Sequence, residues 1–342
     1  MADRVSFFAN GPARLLMSCI IADEFYPDKR RTLILLDQFG YDYGRLLPHV
    51  GASFDRILFV KGRERRYSNL AQIVGTYIRP YIDLSDAFSP GEHSILFGLR
   101  SPIQKHIIRR NRELGNSIDI YAESIAVDRY FDNGFDTEPV LRSLARGMMA
   151  RALDYQHDYD RFFLHVPQLY LDSPQAPKFR KMPRLFQMPS AEKYADIMLR
   201  DIDLSGLAGY DTVFFGQPLS NFDGLITPEA EEDMLRQILG DRKVVVMPHP
   251  NERLDVHNKY AVLPNARILP AGLPNDLICQ RLKPRRTITY SSTIGIDYAL
   301  SQPNTENLFF PVLARSLHAL ERYARHVSNI EVSDRYVTID AG

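Results

Sequence analysis

The stretch Lys243-Val244-Val245-Val246-Met247-Pro248-His249-Pro250-Asn251-Glu252 decides the fold class. Val244 to Met247 form an apolar run of strand length with no polar alternation, the pattern of a strand buried on both faces in a parallel sheet. Pro248 and Pro250 lack the amide that a ladder requires, so the strand stops and presents His249 at its carboxyl end. Open α/β sheets bind ligands at that rim. A histidine there titrates near neutrality and can offer a hydrogen bond or a charge to a phosphate, although a capped loop histidine would read the same way.

Outward from this strand, short apolar runs alternate with helix-period stretches over the whole chain, the pattern of βα units. Strands are expected near Val5 to Asn10, Thr32 to Leu36, Arg56 to Val60, Ser94 to Gly98, Ile118 to Tyr121 and Phe162 to Val166. The clearest helices between them are Pro12 to Phe25, Tyr67 to Ile78, Ile103 to Leu114 and Glu138 to Leu153. Residues Asp172 to Pro189 break the rhythm with four prolines among basic residues and read as a linker. The alternation then restarts, with strands near Thr212 to Gly216, Lys243 to Met247, Arg267 to Leu269, Thr287 to Tyr290 and Asn307 to Phe310. Thr227 caps a helix that has Pro228 and three glutamates in its opening residues, and a last helix is expected from Pro311 to Val327. The economical reading is an α/β protein of two Rossmann-like domains facing a cleft, residues 1–189 and 190–342.

The chain has 342 residues, enough for two cores, and its 42 Lys plus Arg balance 42 Asp plus Glu. No global field draws it to nucleic acid. Cys19 and Cys279 lie in apolar stretches without a companion at redox or metal spacing, which suits buried thiols in a reducing compartment. With no signal-like opening and no run of about 18 apolar residues, a cytoplasmic protein is expected, at most peripheral to the inner face of a membrane. The helical face of Lys105, Arg109, Arg110 and Arg112 reads as solvated, or as a contact for an anionic acceptor or a lipid headgroup.

Three further segments join His249 as site candidates. In Thr289-Tyr290-Ser291-Ser292-Thr293-Ile294-Gly295 a strand delivers hydroxyls to a helix N-terminus, a seat for phosphate or carboxylate, though an N-cap explains one of them. Gly216, Gln217 and Pro218 form a proline-fixed turn after another strand, with Gly216 permitting close approach and Gln217 able to bond a base or sugar. In Ile118-Asp119-Ile120-Tyr121-Ala122-Glu123-Ser124 a strand ends in Glu123, a carboxylate able to take a proton from an acceptor hydroxyl. Asp158-Tyr159-Asp160 precedes its strand and reads as a solvated turn, and no histidine pair has zinc-like spacing, so no metal is expected. Glycine-rich dinucleotide and P-loop motifs are absent. Asn10-Gly11-Pro12 is the nearest equivalent.

In order along the chain, Phe8 to Leu16, Gly216 to Pro218, His249-Pro250 and Ser291-Ser292-Thr293 resemble bacterial sialyltransferases of the lipooligosaccharide and capsule polysialyltransferase families. The resemblance spans most of the chain through short motifs, of which the His-Pro and Ser-Ser combination is the most specific. It implies a GT-B architecture, a CMP-activated sialic or related nonulosonic acid as donor, and an oligosaccharide, lipooligosaccharide or capsule glycan as acceptor. Where these families carry two acids and a glycine, this chain has Ala122-Glu123-Ser124. Glu123 then inherits the role of general base, with Asp128 as the local substitute. His249, Pro250, Asn251, Gly216, Gln217, Pro218 and Ser291 to Thr293 inherit the donor site, with Asn10 and Gly11 as further candidates. No cofactor beyond the donor substrate is implied. The alternatives are a GT-B transferase using Kdo, a nucleotide-diphosphate sugar or a glycerophosphate polymer, and an inactive glycan-binding homologue, suggested by the altered acidic motif.

Overall fold

The structure, a computed structural model, describes residues 3–37, 47–61, 83–98, 102–122, 157–200, 202–207, 209–220, 225–249, 252, 259–271 and 273–337. The chain divides into two compact units, Met1–Ile197 and Met198–Gly342. The helices expected at Tyr67 to Ile78 and Glu138 to Leu153, and the site candidates Glu123, Asp128, Pro250 and Asn251, lie outside the described residues.

The first unit is built on seven strands, β1 (Arg4–Ala9), β2 (Arg30–Asp37), β3 (Arg56–Lys61), β4 (Glu92–Phe97), β5 (Ser117–Tyr121), β6 (Arg161–Leu164) and β7 (Phe179–Lys181). They pair in parallel in the order β3-β2-β1-β4-β5-β6-β7. Helix α1 (Pro12–Phe25) follows β1 and is buried from Leu15 to Ala22. A helix apolar around most of its circumference must be enclosed, and α1 is. It opens at Gly11, whose φ of 106° is a left-handed conformation that a side chain would strain. Helix α2 (Pro102–Glu113) precedes β5, and α3 (Pro189–Met198) buries Tyr194, whose hydroxyl donates to Asp23 at 2.8 Å.

Residues 172–189 are more than the connection their prolines suggested. Phe179 pairs opposite Phe162 and is buried with Met182 and Leu185, so β7 forms the edge of the sheet. Pro177 and Pro183 flank the strand without occupying its ladder, the placement an edge strand tolerates. The basic face of α2 is likewise not an open cationic surface. Arg109 and Arg110 pair with Glu113, Arg112 reaches Asp158 at 3.1 Å and Asp160 at 3.0 Å, and Lys105 is buried. Asp160 also accepts the Ile118 amide at 2.7 Å, so the Asp158–Asp160 turn, half-exposed, clamps the start of β5. At the amino end of the sheet, Asp119 accepts from His93 at 3.1 Å and from Arg161 at 2.8 Å. Burial pushes the Asp119 carboxyl up, but those hydrogen bonds and the charges behind them outweigh it and hold it below the usual range.

The second unit has six strands, β8 (Thr212–Phe215), β9 (Val244–Met247), β10 (Ala266–Ile268), β11 (Arg286–Thr289), β12 (Glu306–Phe309) and β13 (Ile330–Val332). All are parallel, in the order β10-β9-β8-β11-β12-β13. Helix α4 (Pro228–Leu239) starts as expected, with the Thr227 hydroxyl accepting the Ala230 amide at 3.3 Å. Helices α5 (Asn275–Leu282), α6 (Thr293–Ser301) and α7 (Ala314–Ala324) complete the alternation. Strand β13 was not anticipated, because three residues centred on Glu331 give no apolar run. Cys19 and Cys279 are both buried, which pushes each thiol up. Among the described residues no helix is long and apolar enough to cross a membrane.

Burial lowers the His106 imidazole from 6.5 to about 4, assisted by the charges of Arg109 and Arg110. Between those values the unfolded chain takes up a proton that the folded chain refuses, so stability falls as pH drops through that window. His106→Gln is expected to flatten urea midpoints, followed by circular dichroism, between pH 6.5 and 4. Some slope remains from His157, also held low by burial. An unchanged slope in the variant would show that His106 is not the proton-linked group.

Candidate functional site

The strand order of the second unit turns outward in both directions from the β8–β11 pair, so its topological switch point lies there, with β9 beside β8. Ligands of open parallel sheets bind outside the carboxyl ends at such a point. Three candidate segments emerge from those three adjacent ends: Gly216-Gln217-Pro218 after β8, His249 after β9 and Ser291-Ser292-Thr293 after β11. In the first unit the equivalent point, between β1 and β4, is occupied by Asn10 and Gly11.

The three turns are wired to one another. Gln217 Oε1 accepts both the amide and the hydroxyl of Ser291, each at 3.1 Å, bridging the switch point. The Ser292 amide donates to Thr289 Oγ1 at 3.1 Å, and the Thr289 hydroxyl donates to the Phe215 carbonyl at 3.3 Å. Ser292 sits at the N-cap of α6 in extended conformation, yet its hydroxyl makes no cap bond. Ser291, Ser292 and Thr293 are all partly exposed. Capping therefore does not account for the hydroxyls, and the helix N-terminus keeps the character of an anion seat.

Beneath His249, which is half-buried, lies a group of charges with almost no exposure. The Glu252 carboxylate accepts the His249 amide at 2.6 Å and the Tyr260 hydroxyl at 3.1 Å, while the Glu252 amide returns to the His249 carbonyl at 2.9 Å. Lys259 donates to Glu252, donates to the Gln217 carbonyl at 2.7 Å and pairs with Glu231 at 2.5 Å. Glu231 accepts in turn from the Ser220 hydroxyl at 2.5 Å. Burial, with the nearby carboxylates, pushes the Tyr260 and Tyr290 phenols well up, so both stay neutral.

Sequence reasoning missed this group. Glu231 was read only as an acid near the helix start, but it lies in the buried stripe Glu231, Met234, Leu235, Ile238 and Leu239. An acid in the apolar register of a helix is the signal that a buried cation must meet it. Glu252 stood in the opening segment without a role, and nothing around Lys259 marked it. Gly216 does permit a close approach, though to the protein itself: a Cβ there would stand 2.2 Å from the Tyr260 hydroxyl and 2.8 Å from Glu252. Among the described residues, no group of three or more His, Cys, Asp or Glu is arranged to hold a metal ion.

The arrangement can be set beside known proteins. No protein-family model matches the chain, and no curated protein matches it. Solved structures do match, over both units. A UDP-glucosyltransferase from Polygonum tinctorium superposes with a TM-score of 0.58 at 11% identity, covering 98% of this chain and 86% of that one. Arabidopsis thaliana UGT89C1, complexed with UDP-L-rhamnose, gives a TM-score of 0.56 at 10% identity, covering 96% and 84%. The UDP-GlcNAc 2-epimerase of Neisseria meningitidis, bound to UDP-GlcNAc, gives 0.53 at 12% identity, covering 93% and 85%. The chain has the GT-B fold. At such identities the likeness extends to the fold, and the site has to be argued from this chain's own residues.

Gly216→Ala is expected to destabilise by about 1–3 kcal/mol through overpacking against Tyr260. In a Tyr260→Phe background the same substitution should cost less, because the nearest clashing atom is gone. Thermal unfolding of the four proteins measures the coupling. Equal costs in both backgrounds would refute the steric account.

Proposed function

We propose that this protein is a glycosyltransferase that takes a nucleotide-activated sugar and seats the donor's phosphate on the rim formed by Gly216-Gln217, His249 and Ser291 to Thr293. The observation that carries the reading is the Gln217–Ser291 bridge across the switch point, beside a helix N-terminus whose N-cap hydroxyl makes no cap bond. His249 and the hydroxyls would stabilise the charge on the departing phosphate, and a carboxylate would take the proton of the attacking acceptor hydroxyl. The motif order assigns that carboxylate to Glu123, with Asp128 as the alternative.

The solved neighbours that act on or hold UDP-sugars favour a nucleotide-diphosphate sugar as donor. A second reading keeps the same site with a CMP-activated nonulosonic acid, transferred with inversion to a hydroxyl of a glycan. The paired motifs His249-Pro250 and Ser291-Ser292, in their order, favour it. In both readings the acceptor is a glycan hydroxyl, and the protein works in the cytoplasm or at the inner membrane face.

A nucleotide that binds the folded chain raises its melting temperature by mass action, by about 2.7 kcal/mol of stability at a hundred times its Kd. A thermal-shift series with UDP, UMP, CMP and AMP is expected to show selective stabilisation by uridine nucleotides, and stabilisation by CMP alone would select the second reading. His249→Ala should lower release of the nucleotide from its sugar by about 10²- to 10³-fold. No shift with any uridine or cytidine nucleotide would sink both readings, and binding without turnover would favour the inactive homologue.

A further inference from the structure

We propose that Lys259 is a positioning residue of the donor rim: one buried ammonium ties the turn after β8 to the turn after β9, and through them sets Ser291 and His249. The inference rests on the reading of that rim as a donor site. The ammonium donates two hydrogen bonds, to the Gln217 carbonyl at 2.7 Å and to the Glu252 carboxylate, and it stands in an ion pair with Glu231 of α4 at 2.5 Å. Gln217 continues the connection through its side chain to Ser291, and Glu252 continues it to the His249 amide at 2.6 Å. The path Ser291–Gln217–Lys259–Glu252–His249 therefore crosses three strand ends through hydrogen bonds.

The chemistry of the path explains its composition. Two buried carboxylates and one ammonium are a poor way to stabilise a fold, since well-packed apolar residues of similar volume do as well or better. What such a group supplies is a single allowed geometry, because each acceptor left unmet in the interior is costly. Glu252 accepts a backbone amide, so it fixes where the histidine-bearing turn runs, while Lys259 fixes Glu252 against the neighbouring turn. A phosphate seat built from three loops needs that kind of restraint, because a misplacement of about 1 Å costs about a hundredfold in rate.

The test uses the full chain and two readouts. In Lys259→Met, amide hydrogen exchange resolved to single residues is expected to accelerate about tenfold or more at both His249 and Ser291 while Val245 and Phe214 keep their protection. Should that variant fold poorly, Lys259→Met/Glu231→Gln removes one carboxylate with the cation and is read the same way. Unchanged exchange at both amides, or acceleration spread through the strands, overturns the proposal. In the second readout, kcat should fall about tenfold to a hundredfold with KM nearly unchanged, measured with UDP-glucose, UDP-GlcNAc and CMP-N-acetylneuraminic acid. Accelerated exchange with wild-type kcat overturns the positioning role and leaves the proposed function standing. If the wild-type chain turns over none of these donors, the proposed function falls, and the exchange readout still decides whether Lys259 holds the two turns together.

Discussion

Two carboxylates and a single ammonium, Glu231, Glu252 and Lys259, are buried together at the carboxyl edge of the second sheet. Interiors tolerate such a group only when every charge is met, because removing one partner strands the others in a medium that solvates them poorly. Here the requirement reaches outward in several directions. Glu252 can meet Lys259 only if the chain turns sharply after β9, and Pro248 guarantees that turn by ending the ladder. The carbonyl of Gln217 can meet the same ammonium only if β8 ends at Phe215. Gly216 must then lack a side chain, because the Tyr260 hydroxyl and Glu252 occupy its place. The strand lengths, the glycine and the prolines are thus mutually determined.

Much of this was legible in the sequence, and the reasons differ by element. Strand β9 could be read from Val244 to Met247 because a strand buried on both faces has no polar residue to disguise it, and its end was fixed by proline chemistry. Helix α4 could be read because Thr227 and Pro228 act locally, within one turn. Strands β7 and β13 were hidden because Phe179-Arg180-Lys181 and Ile330-Glu331-Val332 make no apolar run, and three residues are too few to show a period, so the neighbour each pairs with decides its existence. Pro177 and Pro183 obscured β7 further, since proline argues against a strand unless its position relative to the edge is known.

The site was legible in its rim and not in its foundation. Turns at strand ends announce themselves through Gly, Pro, Ser and His, residues chosen for local conformation or chemistry, so Gly216, His249 and Ser291 could be read as candidates at adjacent strand ends. Their support comes from residues far apart in sequence, Glu231 on a helix, Glu252 in a turn and Lys259 in the segment before β10, and only the fold assembles them. Gly216 illustrates the distinction: the need for a bare backbone was readable, but the atom demanding it, a tyrosine hydroxyl 44 residues later, was not.

The two units repeat one core strand order yet place their buried carboxylates Asp119 and Glu252 at opposite rims. In the first, Asp119, His93 and Arg161 gather at the amino ends of β4, β5 and β6, the side of a parallel sheet where ligands do not bind. In the second, the exposed Arg286–Glu306 pair stands at the amino ends, while the buried charges gather at the carboxyl ends, under the turns that follow β8 and β9. A cluster at the amino rim secures strands to one another, and Asp119 serves β4 and β6 in just that sense. At the carboxyl rim the strands are already ending, so there is little sheet left to secure. The partners of Glu252 and Lys259 are accordingly loop groups, the His249 amide and the Gln217 carbonyl. The same type of interaction therefore performs different work in the two halves: in the first it secures strands to one another, and in the second it secures the turns that follow them.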